Sequence, residues 1–342
     1  MAAGPAKIDY QTLAQDLGSV GDVVATIEAA GYDGYWTAET QHDPFLPHVI
    51  AAEHSSRVDL GTGIAVAFAR NPMTVAHTAW DLQAHSGGRF ILGLGSQIKA
   101  HITMRFSMEW SRPAARMKEF IQAIHAIWDA WETGERLRFR GDFYTHTLMT
   151  PFFNPGPNPH GRARIFVAAV GPRMTAVSAE VADGLLAHGF TTEDYVRSVT
   201  VPIVEETLAA TGRDRSSFEV SLPVFVVTGA DDQEMAASAL AVRQQIAFYG
   251  STPAYRGVLD HHGWGDLQGE LNAMSKRGEW HEMANAIDDE ILDAFAVVGT
   301  PGAVGAGIRE RFGDVVDRVS FYTRPEGHGP DVMAAIMTAL RD

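Results

Sequence analysis

The sequence predicts an α/β fold of the (β/α)8 TIM-barrel type, with insertions. Three observations predict it. About eight short apolar runs lack polar–apolar alternation, as strands buried on both faces do. Amphipathic helical stretches separate nearly all of them, the pattern of a parallel sheet with helical crossovers. Glycines and polar residues gather where the runs end, and α/β proteins bind ligands at the carboxyl ends of strands. A doubly wound sheet is the alternative. It draws on GTGIAV (Gly61 to Val66) and GLGSQI (Gly93 to Ile98), each lacking the third glycine of a dinucleotide fingerprint.

Lys7 to Thr12 reads as the first strand. The stretch from Gly18 to Ala30 has apolar residues at helical spacing and ends at Gly31. Tyr32 to Ala38 is the second strand, Leu46 to Ser56 a helix, and Val58 to Ala67 the third strand. Asn71-Pro72 opens the next helix, with proline near its first position. Arg89 to Leu94 is the fourth strand, thinned by Gly93 and Gly95 so that another group can approach its backbone. Arg112 to Glu132 is a long amphipathic helix. Residues 135–160 break the rhythm with a hairpin around Gly141-Asp142 and a proline-rich loop. Strand, helix and strand resume at 164–170, 172–182 and 184–187. The helix over 192–211 should kink or split at Pro202. A strand over 218–228 and a helix over 231–249 follow. Residues 250–278 read as a second, irregular insertion, a lid or substrate wall or equally an oligomer contact. Helices at 279–294 and 301–312, the eighth strand at 315–322 and a helix at 331–340 close a single domain over 1–342.

Composition bounds the function. The net charge of −15 argues against a nucleic-acid surface. No run approaches the ~20 apolar residues of a membrane span, and the N-terminus lacks a signal-peptide pattern, so a cytoplasmic location is expected. The absence of cysteine removes disulfides and thiolate chemistry. There is no Walker loop, nucleophile elbow or H-E-x-x-H motif. His261 and His262 are adjacent and do not share a face, so no metal is expected.

Candidate chemistry sits at the strand ends. Glu39 and His42 follow the second strand; a carboxylate and an imidazole there can move a proton. Equally, Glu39 can cap a helix or pair with a buried arginine, and Asp43-Pro44 can be a plain turn. Ser96, Gln97 and His101 can hydrogen-bond the edge of a flat heterocycle, or Ser96 can cap the next helix. Gly171-Pro172-Arg173-Met174 opens a helix directly after a strand, where free N–H groups and Arg173 suit a phosphate; an ordinary loop with proline at the first helical position is the other reading.

Several stretches together resemble the bacterial-luciferase-like superfamily, and within it the branch that uses the deazaflavin coenzyme F-420. They are AAGYDGYWTAETQHDPFLP (29–47), residues 60–97, AAVGPRM (168–174), ADGLLAHGF (182–190), and VGTPGAVGAGIRERF (298–312) followed by DRVSFY (317–322). The resemblance implies a barrel with a flavin-like ring in its mouth, F-420 or alternatively FMN. Gly63, Ile64, Ala65 and Val66 would form a bulge behind the ring, held by a non-proline cis peptide. Ser96, Gln97 and His101 would lie near the ring and its tail, Gly171, Pro172, Arg173 and Met174 at the phosphate, and His188 and Gly189 beside it, with Thr40 and Val170 also binding the cofactor. The family often places histidine directly after the acidic residue of the second strand; here Glu39, Thr40 and Gln41 precede His42. The expected catalytic set is His42, Glu39 and His101. The expected activity is hydride transfer between the deazaflavin and a small organic substrate. Alternatives are an FMNH2-dependent monooxygenase fed by a reductase partner, and a non-catalytic cofactor-binding barrel. A homodimer is also expected from the family.

Overall fold

Eight parallel strands close on themselves in the computed structural model, which describes residues 7–13, 16–322 and 328–342. They are β1 (Lys7–Thr12), β2 (Gly34–Thr37), β3 (Asp59–Thr62), β4 (Phe90–Gly95), β5 (Arg164–Ala169), β6 (Gly184–Ala187), β7 (Glu219–Val227) and β8 (Arg318–Tyr322). Each pairs with the next, and β8 returns to β1 with Lys7 opposite Arg318. Closure removes every edge, and the helices cover the outside. The doubly wound alternative is therefore excluded.

The helices form where the sequence places them. α1 (Val20–Ala29) ends at Gly31, whose φ is +91°. After α2 (Leu46–Glu53), α3 (Pro72–His85) starts at Asn71, which accepts the Met73 N–H at 2.8 Å. α4 (Pro113–Thr133) buries Phe120, Ile124, Ile127, Trp128 and Trp131 against the barrel. α5 (Pro172–Val181) follows β5 directly. α6 (Val201–Ala210) is preceded by a wide, π-type turn over Val196–Thr200. That turn lies just before Pro202, whose missing N–H leaves a carbonyl unpaired one turn back. In the 135–160 insertion Phe139–Arg140 pairs antiparallel with Thr145–His146. The Glu119 carboxylate of α4 ties this hairpin down, accepting from the N–H groups of Asp142, Phe143 and Tyr144.

Three places differ from the sequence reading. First, the third strand does not run unbroken to residue 67. Regular pairing with β4 stops at Gly61 and resumes at Ala65–Val66. The Thr62 hydroxyl spans the gap, donating to the Gly93 carbonyl at 2.7 Å and accepting its N–H at 2.9 Å. A Cβ on Gly93 would lie 1.7 Å from the Thr62 carbonyl oxygen, so only glycine lets the two backbones approach here.

Second, residues 250–278 are ordered helix rather than irregular loop. After α7 (Asp232–Gly250) come α8 (Arg256–His261), α9 (Gly265–Arg277) and α10 (Asp289–Phe295). The expected helix over 279–294 is a 3-10 turn at Glu282–Ala286 followed by α10. This cap packs a second core, including Phe190, Phe225, Ile246, Leu259, Leu271 and Phe295, over the carboxyl ends of β6 and β7. A short strand missed in the sequence, Ala296–Val298, then pairs with the end of β7 before α11 (Pro301–Phe312) and, beyond β8, α12 (Pro330–Arg341).

Third, a buried ion-pair network that the sequence reading did not foresee occupies the amino ends of the strands. Arg318, fully buried, makes two 2.7 Å bonds to Asp9 and reaches Asp59 and Glu219. Arg164 and Lys7 extend the network. Above it Trp36, Ile91, Phe166 and Leu186 fill the lumen. The base is plugged, so ligand space is confined to the carboxyl-end mouth.

Candidate active site

The β2–α2 loop enters the mouth under tight control. One oxygen of Glu39, Oε2, accepts the Val66 N–H at 2.7 Å and an Arg70 guanidinium N–H at 2.5 Å. Arg70 also reaches Asp43 at 3.2 Å and lies over the Phe45 ring. Asp43 in turn accepts the Phe45 N–H at 2.8 Å at the start of α2. Below the loop, buried His48 bonds the Thr37 hydroxyl at 2.8 Å, and burial lowers its pKa to about 3. The carboxylate that the sequence offers as an acid or base thus holds a buried strand end and a partly buried arginine together. Thr40 and His42 are exposed on the same loop, and His42 has no hydrogen-bond partner among the described residues.

Behind the loop lies the bulge. The Gly63–Ile64 peptide is cis. The Ile64 carbonyl accepts the Glu39 N–H at 3.1 Å. Ala65 and Val66 are fully buried, and the Ile64 side chain packs against Gly95. At the end of β4, Ser96 and Gln97 are partly exposed. Gln97 has a positive φ of 58° and its amide oxygen accepts the Ile98 N–H at 2.9 Å. Gln97, not Ser96, therefore opens the turn that follows. His101 is exposed one turn on, and Arg105 of that turn donates to the Thr40 carbonyl, tying the two loops together.

Opposite them, β5 and β6 end on a cavity lined by Val170, Thr175, His188, Phe190, Thr191 and Tyr195, among others. α5 begins at its rim with Gly171 as N-cap and Pro172 as first residue, and no side chain caps it. A Cβ on Gly171 would meet nothing within 4 Å. Arg173 is exposed and makes no ion pair among the described residues, while Met174 packs on the barrel core. The Thr191 hydroxyl is buried without a partner. The Arg173 backbone N–H, its guanidinium and the lone Thr191 hydroxyl have no acceptor among the described residues, and a phosphate ester fits them.

His188 is held as a neutral imidazole. Its Nδ1 accepts the Phe190 N–H at 3.0 Å, which leaves the proton on Nε2. Burial lowers its pKa to about 4. Its ring packs on Tyr249 and Tyr255, 4.5 and 4.7 Å between centroids. Tyr249 hydrogen-bonds the phenol of Tyr322 at the end of β8. Gly189 lies against that ring, since its Cβ would stand 3.1 Å from Tyr322 Cδ2.

The structure thus groups Val170 to Arg173 with His188 and Gly189 on one side, and Glu39, Thr40 and residues 63–66 on the other. Among the described residues no hydrogen bond or ring contact joins His42 and His101. Sequence reasoning missed Thr191, Tyr249 and Tyr322. Only Thr191 left a signal, being three residues past a strand-end histidine. His261 and His262 serve the cap, through Asp194 at 2.6 Å and the Thr192 hydroxyl at 2.7 Å.

The chain is thus a (β/α)8 barrel with a plugged base, its open mouth flanked by the 63–66 bulge on one side and the uncapped start of α5 on the other. The family model described as luciferase-like monooxygenase matches residues 2–318, and the chain belongs to that family. An uncharacterized protein of Mycobacterium tuberculosis is 56% identical over 308 residues, covering 90% of this chain and 91% of the relative. A 5,10-methylenetetrahydromethanopterin reductase of Archaeoglobus fulgidus is 26% identical over 296 residues, 84% of each chain. Among solved structures, the coenzyme F-420-dependent tetrahydromethanopterin reductase from Methanopyrus kandleri superposes with a TM-score of 0.78 at 19% identity, covering 99% of this chain and 98% of the other. Among the described residues no helix is long and apolar enough to cross a membrane.

Proposed function

We propose that this chain is a coenzyme F-420-dependent oxidoreductase that moves a hydride between the deazaflavin and a small organic substrate. The observation that carries the reading is the buried, partnerless Thr191 hydroxyl beside the uncapped start of α5. Both call for an anionic acceptor, and FMN and F-420 each present a phosphate there. Similarity to reductases, one of them F-420-dependent by name, supports the deazaflavin.

Gly171 to Met174 with Thr191 would hold the phosphate, Gly63 to Val66 would back the ring, and Ser96 and Gln97 would meet its edge. The bound coenzyme supplies two-electron hydride chemistry. The chain's own work is positioning and proton handling. The Glu39–Arg70 pair fixes the bulge and the β2 loop in one register. His42 and His101, exposed on the β2 and β4 loops, move the substrate proton. With a net charge of −15, attraction of an anionic coenzyme must be local, and Arg173 supplies it.

The test is a fluorescence-quenching titration of the purified protein with F-420 and, separately, with FMN. Saturable F-420 binding well below the FMN dissociation constant is expected. The reverse preference would replace this reading with an FMNH2-dependent monooxygenase, which the family name favours. Binding of neither cofactor would overturn both.

A further inference from the structure

We propose that the Tyr249–Tyr322 phenol pair binds the oxygen of an uncharged substrate, a ketone or alcohol carried on an apolar or aromatic body. The substrate class deepens the oxidoreductase reading and rests on it; the binding site itself does not. Along β8, Arg318 and Ser320 are buried inside the barrel, so Tyr322, two residues on, lies on the same inward face at the mouth. Its ring packs on Phe225 at 4.9 Å and stands against Gly189. The cap brings Tyr249 to it from α7, and Tyr255 from the turn before α8. Tyr249, Tyr255, Tyr322 and His188 are each only partly buried, so they form a wall rather than a core.

Hydrogen-bond capacity points to a third oxygen. In a phenol pair one O–H is consumed and the other remains. The Gln245 amide lies beside Tyr249, and with its NH2 turned to the phenol oxygen it leaves that proton free. A substrate carbonyl or hydroxyl oxygen accepts it.

Charge narrows the class. Among the described residues no arginine or lysine stacks on these tyrosines. The nearby arginines are spent elsewhere: Arg197, before α6, on Asp314, and the cap's Arg243, Arg256 and Arg277 on Asp289, Asp260 and Glu279. His188 is neutral. A carboxylate or phosphate brought to this wall would lose water and gain no counter-ion.

Ligand-observed NMR on the full chain, with and without F-420, tests the proposal using acetophenone, its oxygen-free analogue ethylbenzene, and benzoate. Acetophenone should bind saturably and benzoate more weakly. Tyr322→Phe and Tyr249→Phe should each weaken acetophenone up to about tenfold and leave ethylbenzene unchanged, which also shows that the variants fold. Acetophenone that fails to bind, that binds both variants as well as the parent, or that binds less tightly than benzoate would overturn the proposal. Failure of F-420 to bind in the parallel titration would strike the coenzyme reading alone.

Discussion

Replacing Glu39 separates a scaffolding carboxylate from a catalytic one. Its Oε2 is the acceptor for the Val66 N–H, and Val66 is fully buried. Glu39→Ala strands that donor, at a cost of about 1–3 kcal/mol. It also strips Arg70, whose side chain is 19% exposed, of its nearer carboxylate, leaving Asp43 at 3.2 Å. A total near 3 kcal/mol is expected. At ~2.1 cal/mol/K of unfolding entropy per residue, that lowers Tm by roughly 4 °C. Glu39→Gln keeps an oxygen for Val66 and loses only charge, so its Tm should fall by about 1–2 °C. Scanning calorimetry measures both shifts, and deazaflavin absorbance follows turnover with the first ketone or alcohol found to react. A scaffold predicts that Glu39→Gln keeps turnover within about fivefold. A Glu39→Gln protein with unchanged Tm and turnover reduced a hundredfold would refute this, since only loss of an ionisable carboxyl could then explain the defect.

Other consequences are equally direct. His48 and His188 bind no proton in the folded chain until the pH falls to about 3 and 4, whereas unfolded histidine protonates near 6.5. Stability is therefore full above pH 6.5 and declines as pH falls, by roughly 2 kcal/mol per histidine between pH 6.5 and 5; urea unfolding across that window should show it, and a flat profile would contradict the buried neutral state. Gly93→Ala forces a Cβ to within 1.7 Å of the Thr62 carbonyl and should abolish soluble folded protein, whereas Gly171→Ala meets open space and should leave Tm within about 1 °C while weakening F-420 binding. Arg318→Met strands buried Asp9 and should cost about 3–5 kcal/mol. Adding Asp9→Leu should recover much of that loss, and a double variant no more stable than the single one would argue against the ion pair as the cause.

Most of the barrel was legible because each strand is buried on both faces and so appears as an unbroken apolar run, as in FILGLG of β4. The bulge is expected from the family resemblance alone; the apolar run reads as one unbroken strand, since nothing in it shows that the Thr62 side chain will bridge a gap in the pairing. The cap was misread for a different reason. Its short helices carry Gly257, Gly263, Trp264 and paired histidines, and a loop carries the same residues. The apolar positions that fix it, Val258, Leu259 and Leu271, are too few to reveal a period. At the site, strand-end residues such as His188 and Gly171 follow from chain order. The Tyr249–Tyr322 pair does not, because 73 residues separate the two phenols and only the cap's fold brings them together. Likewise Glu39 is a plausible base until Arg70, 31 residues on, is seen to occupy it.

The cap leaves and re-enters the barrel at one point. β7 ends at Val227, opposite Val298 of the returning strand, and the Gly299 N–H closes the junction on the Val227 carbonyl at 3.0 Å. Everything between is a single excursion through a narrow neck, packed on a core it shares with Phe190 and Phe225 of the barrel. Such a segment can lengthen, shrink or be exchanged between relatives without disturbing the register of the eight strands. A scaffold built this way lets the wall of the cap vary while the 63–66 bulge and the start of α5 stay fixed. Transplanting residues 228–299 from a relative is then the economical route to a new substrate range.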